Sequence, residues 1–347
     1  MPNTPNTARR GYIDAMKGLG IFCVVIGHFI EYNRGTAPAI NALFTCIYLF
    51  HMALFCTASG LVAKFSLRKL IGQQLWLYLI SQAGILAFRV VALKENLAEQ
   101  GGAWFNLMMP WRHMWYLYAL IFWSLTVPLL HLLTRFLKGP GRWLGFAAAV
   151  ALGLAGGLVE WPFSLGRVFS FYPFFAFGVL FAAPLDQWQK KHHPANWVLV
   201  AAAAGIYGSI AWRILTAPEP FYEGARIFQT DSYAVGGYTV GDRALFYLIG
   251  FLSTLAICYL AGRSKALASL GRRTLPVYIL HMPLYALLVQ LGCYEAAGQR
   301  GLAAAVTWLV FIIPAVVSLC ASAPVNAAVN AVANLWYKTL PGLVRRS

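Results

Sequence analysis

Charged residues are scarce in this sequence, and acidic residues are the scarcest. Only 11% of the 347 residues are charged, with 11 Asp and Glu against 27 Lys and Arg. A soluble globular domain carries roughly 25% charged residues, so this composition excludes an ordinary soluble domain. Because 60% of the residues are apolar, the chain has the composition of a membrane protein. Its net charge of +16 does not indicate nucleic-acid binding, since the basic residues form short clusters between long apolar runs.

The sequence also lacks two patterns: the paired cysteines of metal or disulfide sites and the cleavage site of a signal peptide. None of the six cysteines belongs to a CxxC pair, so the sequence indicates neither a zinc site nor a disulfide framework, and we expect no bound metal. Small thiols packed within membrane helices are the simpler interpretation. The first apolar run ends in HFIEYNRGT, which lacks the small-x-small cleavage site of a signal peptide. We therefore interpret this run as a retained first helix.

Long apolar runs make up most of the chain. A membrane-spanning helix needs about 20 mostly apolar residues, and charge clusters, Gly and Pro separate such runs here. We predict an all-α fold, a polytopic transmembrane helical bundle that forms one integral-membrane domain over 1–347. The ten predicted spans are 14–32, 41–63, 70–92, 113–134, 143–160, 167–185, 195–215, 243–262, 274–292 and 301–335, the last with a kink at Pro314.

The loops between these spans differ in charge. Most Lys and Arg residues fall in alternate loops, on the side that includes Arg9 and Arg10, whereas most acids fall on the other side. The positive-inside rule therefore predicts that both termini are cytoplasmic. Two non-cytoplasmic loops are long, 93–112 and 216–242. The second mixes aromatic, acidic, amide and hydroxyl groups, which suits contact with a sugar and equally suits an ordinary exposed loop.

The first predicted span carries ionisable residues on one face. Lys17 and His28 are separated by about 17 Å along a helix axis, and their spacing is close to three turns, so the two side chains face the same way. An ionisable residue inside a membrane is costly and therefore suggests function. Alternatively, His28 hydrogen-bonds a neighbouring helix and Lys17 extends to the interface. The functional interpretation predicts a continuous polar path beside the first helix, from Lys17 to His28, lined by polar residues of several helices.

Other spans contain histidines in apolar surroundings. His51 lies midway along the second span and His281 lies within the ninth. Together with the histidine of the first span, they suggest a shared polar cavity. His113 lies at the outer end of the fourth span beside Trp115 and Tyr116, where an aromatic belt at the membrane interface is the alternative.

Several segments of the chain resemble the conserved blocks of the acyltransferase-3 family of membrane O-acyltransferases. They are YIDAMKGLGIFCVVIGH, FHMALFCTASGLV, MWYLYALIF, FYPFFAFGVLF and LPVYILHMPLY. The resemblance extends over essentially the whole chain. It implies a membrane enzyme, an O-acetyltransferase, that moves an acyl group, most often acetyl from cytoplasmic acetyl-CoA, to a hydroxyl of an extracytoplasmic or lipid-linked carbohydrate. It also implies a multi-pass protein of a bacterial inner (cytoplasmic) membrane that modifies a cell-envelope polysaccharide.

The family motif has an arginine, ten residues and then the catalytic histidine. By this resemblance His28 is the catalytic residue, and Lys17 stands where many members have arginine, which keeps the charge but loses a planar bidentate contact. We interpret His28 as the general base, with an acyl-histidine intermediate as the alternative. Glu31 lies on the same face and either orients the imidazole or is an ordinary acid at a helix end.

The resemblance also suggests binding residues. Acetyl-CoA is the expected donor substrate, with a carbohydrate acceptor and the lipid bilayer as the other partners and no nucleic acid. The candidate donor contacts are Lys17, Arg68, Lys69, Arg272 and Arg273, of which Arg68 and Lys69 also fit plain positive-inside residues. The candidate acceptor contacts are His51, His113, Trp115, Tyr116, Glu160, Arg167 and His281.

Other function classes remain open at this point. A transporter or flippase of a lipid-linked sugar would use the buried histidines as a proton relay. Such proteins often contain internal repeats, and none is found here. An acyltransferase of a different membrane family would need its own Asn and His pattern, which the sequence does not show. A purely structural scaffold does not account for the ionisable face of the first span.

Overall fold

The computed structural model describes residues 11–35, 37–191, 195–216, 232–261, 264–293 and 301–335. These residues form helices and connecting turns and include no strand. The helices are α1 (Gly11–Ile30), α2 (Pro38–Tyr48), α3 (His51–Gly60), α4 (Leu67–Val91, with a π-helical turn at Leu70–Leu75), α5 (Gly102–Met108), α6 (Trp115–Ala155), α7 (Leu165–Leu180), α8 (Ala182–Lys190), α9 (Ala195–Thr216), α10 (Tyr233–Gly236), α11 (Val240–Ala261), α12 (Lys265–Gly271), α13 (Thr274–Gln290), α14 (Gly301–Thr307), α15 (Ile313–Cys320) and α16 (Ala323–Ala333).

The described helices include several that are long and apolar enough to cross a membrane. Seven meet this condition, or eight if α7 and α8, which meet at an angle of 67°, form one broken span. The chain is therefore an all-helical, multi-pass membrane protein. Two features explain why this number is smaller than the ten predicted spans. Helix α6 joins two of the predicted spans, and α13 has only 17 residues. The termini and most of the predicted loop 216–242 lie outside the described residues.

Helix α6 is not one straight rod. Its 41 residues would extend about 60 Å, roughly twice the thickness of the hydrocarbon core. Lys138 has a non-helical backbone, with φ 50° and ψ −128°, and beyond it Gly141 lies directly against the backbone carbonyl of Leu133. A straight helix would separate these two positions by about 12 Å. The chain therefore folds back at Lys138, between the predicted spans 113–134 and 143–160.

Two further interruptions differ from the sequence prediction. The predicted span 41–63 breaks at Leu49 and Phe50, so that His51 is the first residue of α3. The predicted kink position, Pro314, lies just after an irregular turn of the helix. A π-helical turn, Trp308–Ile312, leads directly into α15, where proline occupies the first turn and needs no backbone hydrogen-bond partner. The break comes later, at Ala321 and Ser322.

Helix α1 lies at the centre of the bundle, where glycine allows close backbone contact. A Cβ atom at Gly18 would overlap the backbone carbonyl of Leu267 on α12, and one at Gly271 would overlap the carbonyl of Asp14 on α1. Without a strong hydrophobic force between helices in lipid, small residues permit the close packing that holds them together. The short helix α12 is thereby fixed against the N-terminal half of α1.

The same arrangement joins α3 to α7. Gly60 and Gly178 face each other so closely that a Cβ on either would overlap backbone atoms of the other helix. Aromatic rings fill the adjoining core, with Trp123 stacked on Phe175 at a centroid distance of 5.3 Å. The indole N–H of Trp123 donates to the backbone carbonyl of Val168, 2.9 Å away. These contacts fix the N-terminal half of α6 and helix α7 around α1.

The glycine contact predicts a position-specific loss of stability. Gly18→Ala places a methyl group against a backbone carbonyl that has no side-chain freedom, so we expect it to destabilise the protein by about 1–3 kcal/mol and to lower its melting temperature in detergent. Gly205→Ala on α9 is the matched control, because no atom of a neighbouring segment lies within 4 Å of the position that its Cβ would take. Equal melting temperatures for Gly18→Ala and the unmodified protein would contradict the proposed packing.

Candidate active site

A cavity of about 260 Å³ lies at the C-terminal end of α1. Its walls come from α1, α2, α3 and α13 and from the N-terminal ends of α6 and α7, so six segments meet around it. Histidine, tyrosine and arginine side chains face an otherwise apolar wall. The lining residues are Val24, His28, Glu31, Tyr48, His51, Met52, Arg112, His113, Trp115, Arg167, Phe171, Tyr278 and Met282.

His28 and Glu31 lie together on this cavity, as their spacing predicts. The His28 side chain is 22% exposed, and its Nδ1 atom lies 3.8 Å from Oε2 of Glu31. This distance is too long for a hydrogen bond but places the carboxylate against the imidazole. Burial alone raises the pKa of Glu31, yet its interaction with the His28 side chain and the positive charges of Arg34 and Arg112 hold that pKa below its ordinary value. Glu31 is therefore ionised at neutral pH.

His281 packs against two other imidazoles. Its ring centroid lies 5.5 Å from that of His28 and 4.8 Å from that of His113. The side chain is fully buried, and its Nδ1 lies 2.9 Å from the backbone carbonyls of Val277 and Tyr278. Because a carbonyl only accepts, Nδ1 carries a proton, and in a neutral ring Nε2 is then an acceptor. This Nε2 atom has no hydrogen-bond partner among the described residues.

His51 also lines this cavity, where it packs against Tyr48. The break before α3 places His51 at the first helical position, where its Nδ1 donates to the backbone carbonyl of Ile47 at 2.8 Å. Its ring centroid lies 4.8 Å from that of Tyr48, which lies 6.4 Å from that of His28. A backbone carbonyl thus fixes a proton on Nδ1 of His51, as backbone carbonyls do for His281 on α13. Three histidines line the cavity, and His281 lies directly behind them.

The connection between α4 and α6 is anchored by a buried arginine. Arg89, 4% exposed, pairs with Glu95 at 2.8 Å and donates to Oδ1 of Asn106 at 2.9 Å and to the amide oxygen of Gln100. The amide of Gln82 donates to the Asn106 carbonyl at 2.9 Å. The predicted long loop 93–112 is therefore tied to α4 along much of its length. Arg89 was not among the residues singled out from the sequence, although a charge within an apolar helix was a signal for it.

Arg112 and His113 follow directly after this anchored segment. Arg112 has a left-handed backbone, with φ 44°, a conformation that costs about 1–3 kcal/mol for a non-glycine residue and persists only where the surroundings impose it. Its guanidinium lies 5.5 Å from the ring centroid of Trp111. His113 is 3% exposed, and its backbone carbonyl accepts a hydrogen bond from the hydroxyl of Tyr278. The fixed segment thus positions both side chains at the cavity.

The remaining predicted acceptor residues divide into two groups. Trp115 stacks on Phe171 at 5.0 Å, and the guanidinium of Arg167 lies 5.8 Å from the Trp115 ring centroid. All three line the cavity. Tyr116 is buried behind the wall, where its hydroxyl is hydrogen-bonded to Ser59. Glu160 is exposed in the connection between α6 and α7 and does not line the cavity.

The predicted donor contacts lie away from this cavity. None of Lys17, Arg68, Lys69, Arg272 and Arg273 lines it. Because α12 packs against the N-terminal half of α1, the two arginines that follow it lie toward the same end as Lys17. Arg273 donates to the backbone carbonyl of Ala321 at 3.1 Å. Arg68 and Lys69 are exposed at the start of α4.

Helix α1 itself contributes apolar side chains between Lys17 and His28. Ile21 and Val24 lie between them on the same helical face, and these side chains are only 0% and 4% exposed. Val24 forms part of the cavity wall. Polar groups therefore lie at both ends of this face, with apolar packing between them. Among the described residues, no three His, Cys, Asp or Glu side chains are grouped to hold a metal ion.

Comparison with known proteins gives one positive finding. The model of the acyltransferase-3 family, described as an acyltransferase domain, matches residues 10–326. The match includes every segment that forms the cavity. No curated protein and no solved structure matches the chain.

The Arg89 anchor predicts a local change in hydrogen exchange. Arg89→Gln removes one partner of a buried ionic network, which costs about 3–5 kcal/mol, so we expect exchange of the backbone amides over 95–109 to rise at least tenfold. Arg213→Gln, a surface substitution on α9, is the control and should leave this segment protected. Unchanged exchange in Arg89→Gln would show that other contacts hold the segment.

Proposed function

Since the chain belongs to the acyltransferase-3 family, we propose that it transfers an acetyl group from acetyl-CoA to a hydroxyl of an extracytoplasmic or lipid-linked carbohydrate. One structural observation supports this proposal independently of the family match. His28 lies on a cavity with an ionised carboxylate at 3.8 Å and two further histidines on the same lining. This combination supplies a proton acceptor, a charged neighbour and room for a substrate.

The proposed reaction needs one base and no oxidant. The acceptor oxygen attacks the thioester carbonyl carbon as His28 removes the hydroxyl proton, and a carbon–oxygen bond forms. The tetrahedral intermediate then collapses, the carbon–sulfur bond breaks, and the proton passes from His28 to the CoA sulfur. Histidine suits both steps because it exchanges protons near neutral pH. An acyl-His28 intermediate is the alternative route for the same residue, and a pre-steady-state burst of CoA release would distinguish it.

Glu31 has a positioning role in this proposal. Its ionised carboxylate favours the protonated imidazole that forms as the hydroxyl loses its proton. At 3.8 Å it needs only a small approach to accept a hydrogen bond from Nδ1, and catalytic hydrogen bonds often tighten only when substrate is bound. Nε2 of His28 would then face the substrate.

The acceptor fits the aromatic part of the cavity. Trp115 and Phe171 form one stacked wall, and Tyr48 stands beside His51 on another. Aromatic rings pack against the apolar faces of sugars, while histidine and arginine provide hydrogen bonds to hydroxyl groups. His51 and His113 are proposed to contact the acceptor on this basis.

The donor is proposed to enter from the opposite end of α1, which we expect to face the cytoplasm. Lys17, Arg68, Lys69, Arg272 and Arg273 carry the positive charge that suits the phosphates of CoA. The pantetheine arm would then extend along α1 toward His28. Because Ile21 and Val24 are buried on that face, this step requires those side chains to move aside.

The first test concerns the base. His28→Ala should reduce transfer of labelled acetyl from acetyl-CoA by about 10²–10⁴-fold in proteoliposomes, because it removes the imidazole that the Glu31 carboxylate prepares to take the hydroxyl proton. His131→Ala, at an exposed position on α6, is the control and should retain activity. Both variants should have the melting temperature of the unmodified protein. Full transfer by His28→Ala would refute the assignment.

The same preparation separates an enzyme from a transporter. With the end that carries Lys17 facing outward, added acetyl-CoA should produce acetylated acceptor in the lumen without net movement of unmodified acceptor. Acceptor movement that proceeds equally well without acetyl-CoA would favour a transporter or flippase.

A further test concerns the donor site. Lys17→Ala should raise the KM for acetyl-CoA about tenfold with little change in kcat, because it removes one charge-assisted contact worth about 1.5–3 kcal/mol. Lys17→Arg should restore most of the affinity, since it retains the charge. Arg135→Ala, which removes another exposed cation, serves as the control. An unchanged KM in Lys17→Ala would exclude this residue from the donor site.

A further inference from the structure

An apolar groove lies on the far side of α13 from the candidate active site. It has a volume of about 400 Å³ and is formed by α4, α13 and α16. Leu280 and Pro283 of α13 line it, whereas Tyr278 and Met282 of the same helix line the cavity that contains His28. Helix α13 therefore forms a wall between an apolar groove and a polar cavity at the same depth in the bundle.

The lining of this groove suits hydrocarbon. Among the described residues that line it, Ser81 alone has a polar side chain, and the others are aliphatic, aromatic, proline or glycine. The lining residues of α4, within 77–88, lie in the middle of the apolar helix Leu67–Val91, which is long enough to cross a membrane. Water would find few hydrogen-bond partners at this depth, so the groove fits an apolar chain.

Small side chains keep the groove open. Gly84 stands in the α4 wall, and no atom of a neighbouring segment lies within 4 Å of the position that its Cβ would take. Ala328 and Ala333 belong to the α16 wall. A larger side chain at Gly84 would therefore take up open space at the groove without overlapping a neighbouring helix.

A second cavity continues the cleft between α4 and α13. It has a volume of about 530 Å³. On α13 it is lined by Ala286 and Gln290, which follow Pro283 of the groove on the same helical face. Beyond the end of α4 it is lined by Leu93, shortly after Phe88 of the groove. The two spaces therefore follow one another along the same two segments of the chain.

The second cavity adjoins the candidate active site. Glu31 and Arg112 line both of them, and Oε2 of Glu31 lies 3.8 Å from Nδ1 of His28. A path thus leads from hydrocarbon depth, along α13 and past Glu31 and Arg112, to the proposed base. A water-soluble acceptor would not need the apolar part of this path, whereas a sugar attached to a lipid would need all of it.

We propose that the acceptor is a carbohydrate carried on a lipid anchor. The hydrocarbon chain of the anchor lies in the groove between α4, α13 and α16, and the sugar extends past Glu31 and Arg112 to His28. This inference rests on the proposed function and selects the lipid-linked acceptor from its two acceptor classes. Such a lipid enters sideways from the bilayer. Because lipid tails are as apolar as the groove, close packing rather than the hydrophobic effect holds the chain there, so the shape of the groove decides binding.

Photolabelling locates the chain without any transfer reaction. Purified protein in detergent is irradiated with farnesyl glucoside that carries a diazirine in its hydrocarbon chain, and the labelled peptides are mapped by mass spectrometry. We expect label on 77–88 of α4 and on α16. An excess of unlabelled farnesyl glucoside should lower this label about tenfold, and the same excess of phosphatidylcholine should not. Label on other helices alone, or equal competition by phosphatidylcholine, would indicate an ordinary lipid surface and overturn the inference.

Two substitutions fill the groove, and each has a matched control. Gly84→Leu and Ala328→Leu enlarge residues that line it. Gly205→Leu adds the same side chain at an open position on α9, and Ala327→Leu adds it beside Ala328 on α16, and neither control position lines the groove. We expect the first two to lower the label about tenfold, because the chain must displace an added side chain. The controls should label as the unmodified protein does, and equal labelling of all four variants would contradict the proposed position of the chain.

A transfer assay separates this inference from the proposed function. Labelled acetyl-CoA is supplied with the lipid extract of cells that make the protein or with their delipidated polysaccharide. Transfer to lipid that is lost in Gly84→Leu and retained in Gly205→Leu supports both proposals. Transfer to polysaccharide alone, or transfer to lipid that Gly84→Leu leaves unchanged, refutes the groove and leaves the acyltransferase proposal intact. Specific photolabelling of the groove without acetyl transfer to either fraction supports the groove and counts against the proposed function.

Discussion

Imidazole and guanidinium groups cannot face hydrocarbon without a large free-energy cost, and the bundle is organised by this constraint. Six segments direct their polar residues to one cavity, so that the cost is met by contacts within the protein. Close packing makes this possible. Gly18 and Gly271 bring α12 against α1, and Gly60 and Gly178 bring α7 against α3. Without these approaches the helices that carry the cavity's histidines and arginines would stand farther apart.

The sequence predicted the features that follow from a single helix. Apolar length located nearly all the spans, and helical spacing placed Lys17 and His28 on one face. The shared cavity was predictable because histidines in separate apolar spans are costly unless they meet. Contacts between distant segments were not predictable in this way. Nothing local in the sequence marks the break at Leu49 and Phe50, which has neither glycine nor proline. The fold-back at Lys138, by contrast, is marked by Gly139 and Pro140 and falls between two predicted spans.

The two predicted substrate sites also differ in how far the sequence determines them. The segment that carries Arg112 is fixed by a network between Arg89 and the residues 95–106. None of these side chains stands out in the sequence by itself. Their role is seen only in the structure, where they contact the buried guanidinium of Arg89. The basic residues at the other end of α1 are mostly exposed, and charge alone was sufficient to find them.

The apolar interval between Lys17 and His28 bears on the electrical insulation of the membrane. An acyltransferase that works across a bilayer must let a thioester arm reach its acceptor without opening a route for ions or protons. In the proposed route, the buried side chains of Ile21 and Val24 act as a hydrocarbon seal on this face of α1. A seal of two side chains can be displaced by a slender chain and closes again behind it, whereas a permanent water-filled pore would dissipate the proton gradient. If the donor enters as proposed, the discontinuity in the polar face lets the acyl group cross while the membrane potential is preserved.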